Sequence, residues 1–103
     1  PNLTLPAEEN RPIGIWGQRH ARYLKQHYKV RYYNLLTSGK LNGYLADIDK
    51  QAEAMFSRLL EQMAEHEGIT EELKAEHPME WIGRMNALRE SAVEIVNAEV
   101  IFA

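Results

Sequence analysis

Residues 31–48, RYYNLLTSGKLNGYLADI, contain the bend that decides the fold. Apolar residues at helical spacing lie on both sides of the polar triplet Thr37-Ser38-Gly39. Glycine readily adopts the left-handed conformation that commonly ends a helix, so a first helix is expected to end at about Ser38. Short connections make consecutive helices antiparallel, and the triplet therefore predicts the bend of a helical hairpin.

Apolar spacing predicts helices on both sides of this bend. The first is expected over residues 13–38, and the second has the most regular stripe, which consists of Leu41, Leu45, Ile48, Ala52, Met55, Leu59 and Met63. Gly68 ends the second helix, and Thr70 is the expected N-cap of a short third helix. Pro78 suits the first turn of a fourth helix. No stretch alternates with period two, so no strand is expected.

The predicted fold class is therefore all-α, a helical-hairpin bundle of three long helices and one short helix. Residues 1–12 contain three prolines and no helical period, which indicates an extended, Pro-rich N-terminal arm. Residues 13–103 are expected to form a single helical bundle domain, because a chain of 103 residues is typical of one domain.

The composition excludes several classes of protein. The chain is 45% hydrophobic and 26% charged, as globular proteins are, and it has no cysteine for disulfides or thiolate chemistry. No apolar run approaches the roughly 20 residues that a spanning helix needs, and no signal-peptide pattern is present, so we expect a cytoplasmic protein without membrane contact. There is no glycine-rich phosphate loop and no nucleophile elbow, so we predict neither enzymatic activity nor a cofactor.

The formal net charge of −3 is divided unevenly along the chain. Residues 11–50 contain eight Lys or Arg against two Asp, whereas residues 51–103 contain four Lys or Arg against eleven Glu. Such asymmetry indicates a charged partner, or two surfaces of the chain that meet each other.

Basic side chains of the first helix are predicted to share one face. At 100° per residue this face lies opposite the apolar side that contains Trp16, Tyr23 and Leu24. Phosphate contacts require such a stripe of cations, although a solvated helix face is often basic as well. The candidate nucleic-acid-binding residues are Arg19, Arg22, Lys25, Lys29, Tyr33 and, near the bend, Lys40.

Tyrosines and histidines of the same helix have more than one interpretation. Tyr23 and Tyr28 are expected to pack in the core, because tyrosine buries a large ring when its hydroxyl finds a partner. Tyr33 lies on the basic side and is expected to be exposed. His20 and His27 are seven residues apart and share a face, but a metal site would need further ligands. We therefore predict no metal site, and interpret both histidines as polar residues where two helices meet.

Glutamates cluster around the turn at Gly68. A solvated surface is the simplest interpretation, and the alternatives are a patch that meets a basic partner or a homodimer contact with the first helix. The candidate protein-interaction residues are Glu61, Glu65, Glu67, Glu71 and Glu72.

Five segments of the sequence are distinctive as a set: PNLTLPAEE (1–9), PIGIWGQRH (12–20), NLLTSGKLNGYLADIDKQAE (34–53), MEWIGRMNALRE (79–90) and EIVNAE (94–99). Together they resemble the transposon-encoded protein TnpV family. The resemblance implies a small protein carried on mobile genetic elements, with an accessory role in excision or recombination and no catalytic residues.

Two functions of different classes are compatible with these observations. The first is a non-catalytic accessory protein of a mobile genetic element that contacts nucleic acid through its basic helix. The alternative is a protein-binding module that regulates or inhibits a recombinase or a host defence protein. Self-association as a homodimer would be a third kind of partnership.

Overall fold

The computed structural model describes residues 11–103, which form helices joined by short turns. The elements in chain order are α1 (Ile15–His27), α2 (Lys29–Thr37), α3 (Leu41–His66), α4 (Glu71–Glu76), α5 (Pro78–Val96) and a π-helical turn (Asn97–Ile101) that continues α5. No strand occurs in this range, which confirms the all-α prediction. None of these helices is both long and apolar enough to cross a membrane. Most of the arm predicted over residues 1–12 lies outside the described residues.

The predicted hairpin bend is present between α2 and α3. Gly39 has a φ of 73°, the left-handed conformation that a residue without a Cβ adopts at little cost. The Lys40 N–H donates to the Leu35 carbonyl at 3.0 Å, and the Gly39 N–H donates to the Leu36 carbonyl at 3.2 Å. This pair of hydrogen bonds is the Schellman motif, which satisfies the last carbonyls of α2.

The predicted first helix is interrupted at Tyr28, so the structure has α1 and α2 in place of one continuous helix. Tyr28 has φ −137° and ψ 59°, outside the helical region. His20 and Arg31 would lie about 16 Å apart along an unbroken helix. In the structure both side chains reach the hydroxyl of Tyr44 on α3, the imidazole at 2.9 Å and the guanidinium at 3.4 Å. The break therefore accompanies a bend of the chain around Tyr44.

The N-terminus of α1 is capped by a residue of another helix. The N-cap position is Gly14, which has no side chain to accept a hydrogen bond. Instead, Asp49 of α3 accepts the Gly17 backbone N–H at 2.9 Å. A carboxylate at this position also interacts favourably with the positive end of the helix dipole. The start of α1 is thereby joined to the middle of α3.

The hydrophobic core lies where α1, α3 and the end of α5 meet. Trp16 is 5% exposed, its ring centroid lies 5.5 Å from that of Phe56, and its indole N–H donates to Glu53 at 2.9 Å. The other buried members of this core are Ala52, Val96, Val100 and Ile101. The apolar stripe predicted on the second helix, the end of α5 and the π-helical turn thus supply most of the core.

The molecule is elongated, with α3 as its axis. It measures 64 × 29 × 18 Å and has a radius of gyration of 18.2 Å, against about 13 Å for a compact chain of this length. The start of α3 lies beside α1 and α2, whereas its end turns into α4, which packs on α5. The two ends of α3 consequently carry separate surfaces.

Candidate functional site

The basic residues predicted from the sequence lie on and beside α1 and α2. Residues 10–46 contain no Asp or Glu. Arg22, Lys25 and Lys29 are exposed, and Arg19 is partly exposed. None of these four cations forms an ion pair with a carboxylate of residues 11–103, where the ion pair found joins Arg11 and Asp47 at 2.8 Å. Their charges are therefore not neutralised by contacts within that part of the chain.

Arg19 also has a structural contact. Its Nη1 donates to Asn97 Oδ1 at 2.9 Å, and its guanidinium lies 5.3 Å from the centroid of the Trp16 ring. The first contact joins α1 to the π-helical turn, and the second covers the core tryptophan. A guanidinium has five N–H donors, so Arg19 keeps donors for a ligand while it holds this position.

Two adjoining grooves run along this basic surface. The first, of about 470 Å³, lies between α1 and the C-terminus and is lined by Arg19, Arg22, Tyr23, Gln26, His27 and Phe102. The second, of about 670 Å³, lies at the break between α1 and α2 and is lined by Gln26, His27, Tyr28, Lys29, Val30, Arg31 and Asn34. Gln26 and His27 line both, so the two grooves are adjacent, and we call them together the basic groove.

Aromatic rings form part of the wall of the basic groove. The ring centroid of Tyr23 lies 5.1 Å from that of His27, 5.7 Å from that of Tyr28 and 5.3 Å from that of Phe102. Tyr28 and Phe102 are 48% and 46% exposed, so the prediction that Tyr28 packs in the core is wrong. The pKa of the Tyr23 phenol lies above its ordinary value of 10.0, mainly because of a side-chain hydrogen bond with Tyr28 and then because of burial. Tyr23 is therefore neutral at physiological pH and adds no negative charge to the groove.

Three of the predicted residues lie outside the basic groove. The Lys25 ammonium is 5.9 Å from the centroid of the Tyr32 ring, and the Tyr33 ring packs edge-on against Tyr32 at 5.1 Å. Tyr33 is 47% exposed, as the sequence predicted. Lys40 is exposed at the bend before α3. The structure thus groups Arg19, Arg22 and Lys29, and leaves Lys25, Tyr33 and Lys40 on flanking surface.

A buried polar chain lies next to the basic groove. His20 is 4% exposed; its Nδ1 is 2.7 Å from the Ile101 carbonyl oxygen, and its Nε2 is 2.9 Å from the Tyr44 hydroxyl. A carbonyl can only accept, so Nδ1 carries the proton, and in the neutral ring Nε2 accepts from Tyr44. The Tyr44 oxygen in turn accepts from Arg31 at 3.4 Å. His20 therefore lies between helices as predicted, whereas His27 is exposed in the groove.

The acidic residues predicted from the sequence surround the turn between α3 and α4. Glu61, Glu65, Glu67, Glu71 and Glu72 are all exposed, and none forms an ion pair with a cation of residues 11–103. Thr70 caps α4 by accepting the Leu73 N–H at 3.1 Å, as the sequence predicted. The nearby residue Met79 is 79% exposed. This end of the molecule is a negatively charged surface with an apolar residue beside it.

Residues 11–103 contain no group of three or more His, Cys, Asp or Glu side chains that could hold a metal ion. His20 is fully engaged by the Ile101 carbonyl and Tyr44. Its hydrogen bonds account for its burial without any further ligand.

Comparison with known proteins identifies the family. The sequence model of a family described as "Transposon-encoded protein TnpV" matches residues 1–101, which is nearly the whole chain. The chain belongs to the TnpV family. No curated protein and no solved structure matches it significantly. The matched range includes every residue of the basic groove except Phe102, so the groove is formed almost entirely by the TnpV segment.

Most residues that line the groove in this TnpV-family chain were not among the predicted binding residues, and Arg31, Asn34 and Phe102 show why. Arg31 and Asn34 fall off the basic stripe of a continuous helix, and they join it because the chain breaks at Tyr28. Phe102 comes from the opposite end of the sequence, and no local pattern relates it to α1. The absence of carboxylates between residues 10 and 46 is the one sequence signal that covers Arg31 and Asn34 as well.

Proposed function

We propose that this TnpV-family protein is a non-catalytic accessory factor of a mobile genetic element and binds nucleic acid through the basic groove. The observation that carries the proposal is that Arg19, Arg22, Lys29 and Arg31 line two adjoining grooves without a carboxylate partner in residues 11–103. Phosphate binding depends on such cations, because their contacts release counterions from the nucleic acid. The proposal places the protein in the cytoplasm with the DNA of the element.

The negative net charge of the chain does not oppose this function. The cluster of glutamates in residues 61–72 lies at the end of α3 opposite the groove, and the 26 residues of this helix span about 39 Å. The Debye length at physiological ionic strength is about 8 Å, so these carboxylates are screened from the groove. A phosphate at the groove therefore responds mainly to the local cations.

The proposal predicts strongly salt-dependent binding. Fluorescence anisotropy with labelled DNA, repeated over a range of salt concentrations, measures the slope of log K against log salt. Four phosphate contacts give a slope between about −3 and −4. The absence of binding to both duplex and single-stranded nucleic acid at low salt would refute the proposed function.

Charge reversal locates the binding surface. The double variant Arg22→Glu/Lys29→Glu removes two groove cations, and its affinity is expected to fall at least tenfold with a shallower salt slope. The double variant Arg58→Glu/Arg89→Glu is the matched control, because it changes the net charge equally at exposed residues of α3 and α5 outside the groove. Equal losses in the two variants would show that only the overall charge matters.

A second candidate function is protein binding at the acidic end, as a regulator or inhibitor of a recombinase or host defence protein. The five exposed glutamates, which form no ion pair within residues 11–103, and the exposed Met79 favour it. Affinity capture from nuclease-treated host lysate tests it, with Glu65→Gln/Glu72→Gln as the comparison. A partner that this variant releases, but that Arg22→Glu/Lys29→Glu retains, would assign the acidic end to that partner.

A further inference from the structure

We infer that the basic groove binds single-stranded nucleic acid, with an unpaired base stacked on the ring of Tyr28. The inference rests on the proposed function and specifies the form of nucleic acid that the groove recognises. It starts from the exposed aromatic rings of the groove, which phosphate contacts alone do not require.

Tyr28 lines the part of the basic groove that also contains Lys29 and Arg31. It is 48% exposed, and it occupies the break between α1 and α2 directly before Lys29. Its inner contact is the Tyr23 ring, edge-on at a centroid distance of 5.7 Å. Tyr23 contacts Phe102 at 5.3 Å, and Phe102 is 46% exposed in the adjoining part of the groove. The Tyr23 ring thus packs against the partly exposed rings of both Tyr28 and Phe102.

A single strand matches this combination of cations and rings better than a duplex does. A duplex keeps the faces of its bases stacked inside and presents mainly phosphates, sugars and base edges. A single strand presents phosphates together with unpaired base faces, which stack on aromatic side chains. Exposed rings between Arg22, Lys29 and Arg31 can therefore interact with both features of a single strand.

The break at Tyr28 also disfavours the usual way of reading a duplex. A recognition helix enters the major groove as a straight rod with its contacts along one face. Here α1 ends at His27 and α2 begins at Lys29, with Tyr28 in a non-helical conformation between them. The cations line a depression across this break, which can accommodate a flexible strand.

Anisotropy titrations with three probes test the inference at low salt. The probes are a labelled oligothymidylate of about 20 nucleotides, which exceeds typical single-strand site sizes, the oligouridylate of equal length, and a duplex of equal length. We expect the better single strand to bind about tenfold more tightly than the duplex. The comparison of the thymidine and uridine probes shows whether DNA or RNA binds more tightly, because the two differ in the 2′-hydroxyl and in the C5-methyl group of the base. Polyglutamate of similar charge serves as a competitor without base faces and is expected to compete poorly.

Two tyrosines with nearly equal exposure provide a matched pair of variants. Tyr28→Ala is expected to weaken single-strand binding at least fivefold and to leave duplex binding unchanged. Tyr33→Ala removes a ring that is 47% exposed outside the groove, and its effect is expected to be less than twofold. Tyr28→Phe keeps the stacking surface without the hydroxyl and should retain wild-type affinity, whereas unchanged duplex binding by Tyr28→Ala excludes a general effect on folding.

The outcomes separate this inference from the proposed function. If single strand and duplex bind equally and Tyr28→Ala has no effect, the inference fails while nucleic-acid binding stands. If Tyr33→Ala weakens binding as much as Tyr28→Ala, the stacked base is not in the groove. Efficient displacement by polyglutamate would identify the groove as a site for an acidic protein segment. If no probe binds, both the inference and the proposed function fail.

Discussion

The two ends of α3 have the same turn geometry and opposite surroundings. Gly39 and Gly68 have φ values of 73° and 70°, and the turn at each carries the pair of hydrogen bonds of a Schellman motif. At the Gly39 end, segments from distant parts of the sequence converge, and His20 is buried between Ile101 and Tyr44. At the Gly68 end the candidate glutamates all come from the short segment 61–72, and α4 has no buried residue.

This difference shows that local sequence and long-range packing determine different properties. The acidic surface is fully visible in the sequence, because its members are neighbours along the chain and exposed whatever the rest of the fold does. The basic groove depends on the meeting of α1, α2 and the C-terminus. Variants of the basic half should therefore have larger effects on folding than equivalent variants of the acidic half.

Alanine variants of the two tryptophans should show the largest difference in stability between the two halves. Trp16→Ala removes a core ring that is 5% exposed, contacts Phe56 and donates to Glu53, and should reduce the free energy of unfolding by about 3–5 kcal/mol. Trp81→Ala removes a partly buried ring that contacts the Lys74 ammonium at 4.7 Å, and should cost roughly 1 kcal/mol. Urea unfolding followed by circular dichroism measures both. Similar losses would contradict the unequal dependence of the two halves on packing.

Substitution by alanine should change the stability in opposite directions at two helical glycines, and this sharpens the comparison. In Gly17→Ala the added Cβ would lie 2.8 Å from the Leu45 carbonyl oxygen and 2.5 Å from the Ile13 side chain, and this overpacking should cost about 1–3 kcal/mol. At Gly83 on α5 no other part of residues 11–103 lies within 4 Å of the added Cβ, so Gly83→Ala should stabilise the protein by about 0.4–1 kcal/mol. Thermal and urea unfolding report the signs. A stabilising Gly17→Ala would mean that α1 and α3 are not in close contact.

Of the three pairs of variants, the pair that removes a tyrosine hydroxyl should change the free energy of unfolding least. Tyr44→Phe leaves His20 Nε2 and one donor of Arg31 without the shared partner, and we expect a loss of about 1 kcal/mol. Tyr33→Phe removes an exposed hydroxyl and should change the free energy of unfolding by less than about 0.5 kcal/mol. Urea unfolding gives the magnitudes, and the ring-proton NMR signals of His20 report whether its environment changes. If those signals are unchanged in Tyr44→Phe, the His20–Tyr44 bond does not form in solution.

Much of the fold could be predicted from the sequence. Gly39, Gly68 and the Thr70 cap act through hydrogen bonds to residues three to five positions away, so a short window of sequence contains all the partners. The regular stripe of α3 likewise predicted which residues face the core, because helical spacing alone sets that face. Part of the candidate site was predictable in the same way, since Arg19, Arg22 and Lys29 share a face of an ideal helix.

The tertiary structure decided the rest. Residues 24–32 contain neither glycine nor proline, so nothing local marks the break at Tyr28 that brings Arg31 and Asn34 to the groove. The cap of α1 comes from Asp49, and Phe102 reaches the groove from the end of the chain. Apart from that break, the sequence by itself therefore determined the helices, their turns and the separation of charge, because these depend on neighbours along the chain. The shape of the basic groove depends on contacts between distant residues, which only the packed molecule brings together.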